Sequence, residues 1–133
     1  MGHNGPSWAK RHAAWRSKRD DAAKAQQHAD ALACDAWNER ILMLGGPLQP
    51  SPSIRGAVNG GFPFLRVQCS ACRQSAWLDL RTVRRPQSTA IWALEGSLAC
   101  QLCRRTSRFA PRTTIEMLCR HDREIGPLPH EDG

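Results

Sequence analysis

The sequence predicts an α+β protein, in which a long N-terminal helix precedes a small antiparallel β domain that carries a short helical insertion. Two observations favour this class. Residues 8–44 contain neither Gly nor Pro and are rich in Ala, and Gly45-Gly46-Pro47 then provides a stop signal. After this point the chain consists of short apolar stretches separated by turn residues, which is typical of strands. Its 133 residues, with nine prolines and ten glycines, leave room for one small core.

The predicted helix spans residues 8–44 and follows Ser7, a residue type that favours the N-cap position. A continuous helix of this span would be about 55 Å long, so we expect a break near Ser17 to Asp21. The C-terminal part is the most apolar and is expected to dock on the β domain. The residues expected to supply its apolar face are Leu32, Ile41, Leu42 and Leu44.

A weak coiled-coil pattern runs along this helix, because an apolar residue recurs every seventh position. These positions are Trp8, Trp15, Ala22, Ala29, Ala36 and Met43. The companion positions include Arg11, Lys18 and Glu39, so only half of the seam is apolar. The first turns are basic and carry two tryptophans.

The rest of the chain divides by composition. Residues 1–7 and 120–133 are expected to be flexible tails, and residues 45–61 form a Pro- and Gly-rich linker with one helical turn at Ile54 to Val58. Residues 62–119 form the β domain. Its predicted strands are Phe64 to Gln68, Ala76 to Leu80, Ser97 to Ala99 and Arg108 to Leu118, with a short helix at Ile91 to Leu94. Trp77 and Trp92 are expected to be its largest core side chains.

Two C-x2-C motifs lie in this β domain, Cys69 with Cys72 and Cys100 with Cys103. Each motif can place two thiolates on one metal ion, and two motifs complete a tetrahedral four-thiolate shell. The sequence therefore predicts one structural zinc ion bound by these four cysteines. The same thiolates could instead hold an iron–sulfur cluster, and two disulfides are an alternative if the protein is exported.

The motifs resemble the zinc-ribbon class, in which two hairpins each contribute a C-x2-C turn. The resemblance covers residues 62–118, and the 27 residues between the motifs imply an insertion. Many ribbons place Gly after the second cysteine of each turn, where this chain has Arg73 and Arg104. The opening residues Met1 to Pro6 and the arrangement around both motifs are also similar to small proteins of alphaproteobacteria and their mobile elements. That similarity implies no particular activity.

The formal net charge is +7, and residues 55–120 hold eleven arginines against three acids. Such an excess indicates a polyanionic partner, most simply the backbone of DNA or RNA. The arginines predicted to contact phosphates are Arg84, Arg85, Arg104, Arg105 and Arg108. The alternative function is a zinc-stabilised adaptor, whose N-terminal helix and exposed tryptophans anchor a protein partner.

Other functions are disfavoured by what the sequence lacks. A closed four-cysteine shell leaves no open position for catalysis, and no nucleophile or paired carboxylate stands at motif spacing near the five histidines. We therefore expect a protein that is not an enzyme and has no small-molecule substrate. No apolar run is long enough for a membrane span, and Met1 to Pro6 is polar where a signal peptide would be apolar. A cytoplasmic location is the expectation.

Overall fold

The computed structural model of the chain describes residues 7–45, 48–100, 103 and 112–122. Helix α1 spans Ser7–Leu44 without interruption. The prediction of a break near Ser17 to Asp21 is therefore wrong. Ten of the 38 residues of α1 are Ala, the best helix former, and no Gly or Pro interrupts its hydrogen bonds. Among the described residues, no helix has the length and apolar character needed to cross a membrane.

The described chain contains a three-stranded antiparallel sheet in the order β2-β1-β3. Strand β1 is Phe64–Cys69, β2 is Ser75–Asp79 and β3 is Thr113–Cys119. The central strand alternates strictly, with Leu65, Val67 and Cys69 buried and the residues between them half-buried. The α+β class is therefore confirmed.

The second predicted hairpin is less regular than the first. A 3-10 helix spans Ile91–Ser97, and Ala99 forms only an isolated bridge to Arg112. The prediction of a strand at Ser97 to Ala99 is therefore wrong, since Ser97 belongs to the 3-10 helix. Of the strand expected at Arg108 to Leu118, the part from Thr113 onward is present, and residues 108–111 lie outside the described residues.

Helix α1 docks with a different face from the one expected. Leu32, Leu42 and Leu44 are 55%, 61% and 76% exposed, respectively, whereas Cys34 and Trp37 are buried. Of the four expected residues, only Ile41 packs against the core. The residues that dock, Cys34, Trp37 and Ile41, have the i, i+3, i+7 spacing of one helical face. The leucines of this segment are more apolar, and the prediction therefore selected them instead.

The largest fully buried side chain is Trp37, not the two tryptophans predicted for the core. Trp37 also donates a hydrogen bond from Nε1 to the carbonyl oxygen of Leu48, at 2.8 Å. Trp77 is half-buried and Trp92 is 38% exposed, because Trp92 lies on the outer side of the 3-10 helix whose Ile91 and Leu94 are buried. The N–H of a buried indole needs a hydrogen-bond acceptor. For Trp37, the carbonyl oxygen of Leu48 in the linker is that acceptor.

Helix α2, Ile54–Asn59, crosses α1 at close range. A Cβ atom on Gly60 would lie 2.8 Å from the backbone of Ala31, so only Gly allows this approach. Asn59 Nδ2 donates to Asp30 Oδ2 at 2.7 Å and ties the two helices together. The helical turn expected at the end of the linker is therefore present, and it positions α1 beside the sheet.

Asn38 joins α1 to the edge of the sheet. Its Nδ2 donates to the carbonyl oxygen of Leu118 at 2.9 Å, and its Oδ1 accepts from the N–H of Leu118 at 2.7 Å. One buried amide thus satisfies both backbone groups of a residue on edge strand β3, as a neighbouring strand would.

Replacing Asn38 with Ala is expected to lower the free energy of unfolding by about 2–4 kcal/mol, because two buried backbone groups lose their partner. The matched control is Asn59→Ala, which removes a single hydrogen bond at a less buried position and should cost about 1 kcal/mol. Urea unfolding of both variants measures the difference. Equal losses would contradict the role assigned to Asn38.

Candidate metal centre

The first cysteine pair lies in the turn between β1 and β2. Cys69 ends β1, and its N–H donates to the carbonyl oxygen of Gln74 at 2.9 Å, which closes the turn. The backbone N–H groups of Ala71 and Cys72 both point at Cys69 Sγ, at 3.4 Å. Two N–H donors at one sulfur favour its thiolate form, which is the form that binds a metal ion.

The second pair repeats part of this arrangement. The N–H of Cys103 donates to Cys100 Sγ at 3.5 Å, as Cys72 does to Cys69. Ala99 pairs with Arg112, and the carbonyl oxygen of Arg112 accepts from the N–H and Oγ of Ser70, at 3.3 and 3.0 Å. These contacts hold the segment before β3 against the first turn and so bring the two pairs together.

The four sulfur atoms lie within 4.8 Å of one another, and they are the one cluster of potential metal ligands found within the described ranges. Cys69 Sγ is 3.7 Å from Cys103 Sγ, and Cys72 Sγ is 3.7 Å from Cys100 Sγ. A tetrahedron with metal–sulfur bonds of about 2.3 Å has edges of about 3.8 Å. The cluster therefore has the dimensions of a site for one metal ion. A cluster of several irons would need more space between the sulfurs.

The thiols of the cluster differ in exposure and acidity. Cys69 is buried, Cys72 is exposed, and the other two are intermediate. Burial raises the pKa of Cys69, but the N–H groups of Cys72 and Ala71 outweigh this effect and lower the pKa to about 6. Burial and the neighbouring thiols Cys69 and Cys100 raise the pKa of Cys103 to about 12. The first thiolate thus forms readily, and a bound dication would stabilise the others.

Arg73 occupies the position at which many zinc ribbons have Gly. Its φ angle is +63°, in the left-handed region that costs a residue with a Cβ about 1–2 kcal/mol. The turn is held by Arg73 N–H donating to the carbonyl oxygen of Cys69 at 3.1 Å, and by Gln68 Nε2 donating to the carbonyl oxygen of Arg73. Arg73 therefore holds a positive φ angle, a backbone conformation that Gly adopts without strain.

The predicted phosphate-binding arginines are only partly covered by the described residues. Arg84 and Arg85 are exposed in the segment between the 3-10 helices Leu80–Thr82 and Ile91–Ser97. Arg104, Arg105 and Arg108 lie outside the described residues. Sequence reasoning missed Arg55, which is also exposed and whose N–H donates to the carbonyl oxygen of Gln87 at 2.9 Å. No sequence signal indicated it, because the contact joins residues 32 positions apart.

The remaining two cysteines do not join the metal cluster. Cys34 and Cys119 are both fully buried, on α1 and at the end of β3. Burial, together with the charges of Asp30 and Asp35, raises the pKa of Cys34 to about 12. Its thiol therefore stays protonated and packs as a small apolar side chain.

Comparison of the chain with protein-family models, with curated proteins and with solved structures finds no match. The expected kinship with zinc ribbons and with small alphaproteobacterial proteins receives no support from them. The candidate site is therefore defined by its geometry, in which four cysteines lie at the spacing of a site for one metal ion.

Replacing Cys72 with Ser is expected to abolish stoichiometric metal binding. Cys72 is the exposed ligand, so its loss removes a metal–sulfur bond with almost no loss of packing. Structural zinc sites contribute about 10–16 kcal/mol of apparent binding energy in peptides, so the domain should unfold or lose most of its stability. Elemental analysis of the purified protein measures the metal content. Cys34→Ala is the control and should keep one metal per chain; full metal content in Cys72→Ser would refute the site.

Replacing Arg73 with Gly is expected to stabilise the domain by about 0.5–1 kcal/mol. Relief of the left-handed strain exceeds the extra backbone entropy that Gly has in the unfolded chain. Arg112→Gly is the control, because Arg112 is exposed but lies in an extended bridge, where Gly should destabilise. Thermal unfolding of the metal-loaded proteins compares them. Equal destabilisation by both changes would show that Arg73 is not strained.

Proposed function

We propose that this protein is a non-enzymatic, zinc-stabilised module that binds the phosphate backbone of nucleic acid with little sequence selectivity. The proposal joins two features of the described residues, a four-thiol site sized for one ion and a group of exposed arginines that have no acidic partner. The second feature carries the functional part of the proposal.

Zinc is the metal that best suits the site. Four cysteine sulfurs at tetrahedral spacing are typical of structural zinc, and a mononuclear site does not suit an iron–sulfur cluster. Four thiolates around a dication leave a net charge of −2. Arg73 follows Cys72 in the chain, and Arg112 lies beside the first cysteine turn, where its carbonyl oxygen accepts a hydrogen bond from Ser70. The guanidinium groups of both residues would offset this charge.

The geometry supports a structural and not a catalytic metal. All four tetrahedral positions would be taken by protein ligands, so none remains for water or substrate. The three histidines among the described residues lie elsewhere, His12 and His28 on exposed turns of α1 and His121 after β3. None belongs to the four-cysteine cluster.

Within residues 55–120, each of the three acids is already engaged by another group of the fold. Asp79 pairs with Arg81, Glu116 pairs with Arg66, and Glu95 accepts the N–H of Ile115 at 3.1 Å. With these acids engaged, the exposed Arg55, Arg84 and Arg85 are available to an external anion.

Three of these guanidinium groups lie in neighbouring segments. Arg84 and Arg85 lead into Gln87, whose carbonyl oxygen accepts from the N–H of Arg55. All three arginines are exposed, and none forms an ion pair with another described residue. Arginine suits phosphate because its planar fork can donate two hydrogen bonds to one phosphate group. Phosphate contacts position a protein without reading bases, so the binding should be weakly selective.

The affinity for duplex DNA is expected to fall with salt, at a slope of log affinity against log salt of about −0.9 per phosphate neutralised. If the five arginines predicted from the sequence all made contact, the slope would be about −4.5. The variant Arg84→Gln/Arg85→Gln should flatten the slope by about 2 and keep its metal. Fluorescence anisotropy at several salt concentrations measures it.

The matched control is Arg81→Gln, which removes one exposed arginine that is already held by Asp79, at 2.9 and 3.0 Å. Its slope should change less than that of Arg84→Gln alone. Absence of binding to both DNA and RNA at about 50 mM salt, with the protein folded and metal-loaded, would end the proposal. The adaptor function would then take its place, which the exposure of Trp8 and Trp15, 66% and 54%, favours.

A further inference from the structure

The first two thirds of α1 extend away from the rest of the protein. Every residue from Lys10 to Ala29 is exposed, and the docked part of the helix begins only at Asp30 and Ala31. A helix without tertiary contacts is marginally stable in water, and most helices in proteins depend on the packing of one face. Within the part of the chain that the structure describes, no element packs against this exposed part of α1.

Two tracks of a heptad repeat lie on this exposed helix. The first track consists of Trp8, Trp15, Ala22, Ala29, Ala36 and Met43, and the second of Arg11, Lys18, Ala25, Leu32 and Glu39. All eleven side chains are exposed. We call the two tracks together the α1 seam. At 100° per residue, the first track is centred about 130° around the helix axis from the face that docks on the sheet. The described residues of the β domain therefore leave the α1 seam uncovered.

The middle of the seam is entirely apolar. Ala22, Ala25, Ala29, Leu32 and Ala36 occupy it without a charged residue. Small side chains allow two helices to approach closely, and Leu32, 55% exposed, would insert between them as a knob. Measured from Trp15 to Met43, the seam is about 42 Å long.

The charge along α1 specifies the direction of a second helix. Residues 8–19 carry five cations and no acid, whereas residues 20–44 carry five acids and two cations. The polar members of the seam follow the same order, since Arg11 and Lys18 are at one end and Glu39 is at the other. A parallel pair of these helices would place like charges opposite each other. An antiparallel pair would place the basic end of each helix beside the acidic end of its partner.

We infer that the α1 seam pairs antiparallel with the α1 seam of a second copy of this chain. The apolar centre supplies the contact, and the opposite charges of the two ends set the direction. The inference goes beyond the proposed nucleic-acid binding and does not depend on it, because Arg55, Arg84 and Arg85 lie outside α1.

Sedimentation equilibrium of the full metal-loaded chain tests the pairing. The wild type is expected to be a dimer, and Ala22→Glu/Ala29→Glu should weaken the dimer at least about tenfold, since both charges fall on the apolar centre of the seam. The matched control is Ser17→Glu/Gln27→Glu, which adds the same charge to exposed positions of α1 away from the seam. The control should stay dimeric. Circular dichroism and metal content verify that both variants fold.

Charge exchange tests the direction. Arg11→Glu/Lys18→Glu and Asp35→Lys/Glu39→Lys should each dimerise more weakly than the wild type, because in each variant positions 11, 18, 35 and 39 all carry the same sign of charge. Mixing the two variants should restore the affinity in a heterodimer. Raising the salt concentration should weaken the wild-type dimer, since its attraction is between opposite charges.

Three results would overturn the inference. A wild-type chain that stays monomeric at about 200 µM, where even weak specific interfaces assemble, would show that no second copy covers the seam. Equal affinities of the seam variant and its control would place any dimer contact elsewhere. A wild-type dimer that tightens with salt would indicate parallel pairing.

Discussion

The convergence of four thiols is the constraint on which the β domain depends. The two cysteine pairs come from the turn between β1 and β2 and from the segment that leads to β3, so their meeting adds to the pairing of β1 with β3 and to the bridge between Ala99 and Arg112. Cys69 has both roles, since it is a core residue of the central strand and a member of the cluster. Because the sheet of the described residues has three short strands, a metal ion at this place would supply stability that so small a core cannot.

Helix α1 is joined to this domain by a small number of specific contacts. Its buried residues are Cys34, Trp37 and Asn38, within little more than one turn. Trp37 and Asn38 each place polar atoms on backbone groups, of Leu48 and Leu118, that would otherwise lack a partner. This combination of burial and hydrogen bonding fixes the helix at one end, and it leaves the other end free to meet another molecule.

The distribution of charge follows from how the acids are used. The three acids of the basic segment are committed to the fold, to Arg81, Arg66 and the backbone of Ile115. Arg55, Arg84 and Arg85 remain exposed and form no ion pair with another described residue. In α1 the charges are instead divided between the two ends, so the net charge of the helix is small while its field is strongly directional. The two regions therefore suit different partners.

What the sequence determined by itself was the ligand set and the classes of element. Two C-x2-C motifs impose their geometry within four residues, and a long Ala-rich segment without Gly or Pro favours a helix, so these predictions needed no distant contact. The continuity of α1 also follows from its local sequence. The expected break rested instead on the length of a continuous helix compared with the small size of the protein.

Tertiary structure alone decided which face of α1 docks, and that Trp37 and not Trp77 or Trp92 fills the core. From the sequence, Leu32, Leu42 and Leu44 were the more apolar candidates for the docking face. The face that docks instead carries Asn38, which bonds to Leu118 80 residues away, and Trp37, which bonds to Leu48 11 residues away. The contact of Arg55 with Gln87 was decided in the same way, by a backbone hydrogen bond between distant residues. Such pairings depend on where the chain returns in space, and no local pattern of residues encodes that.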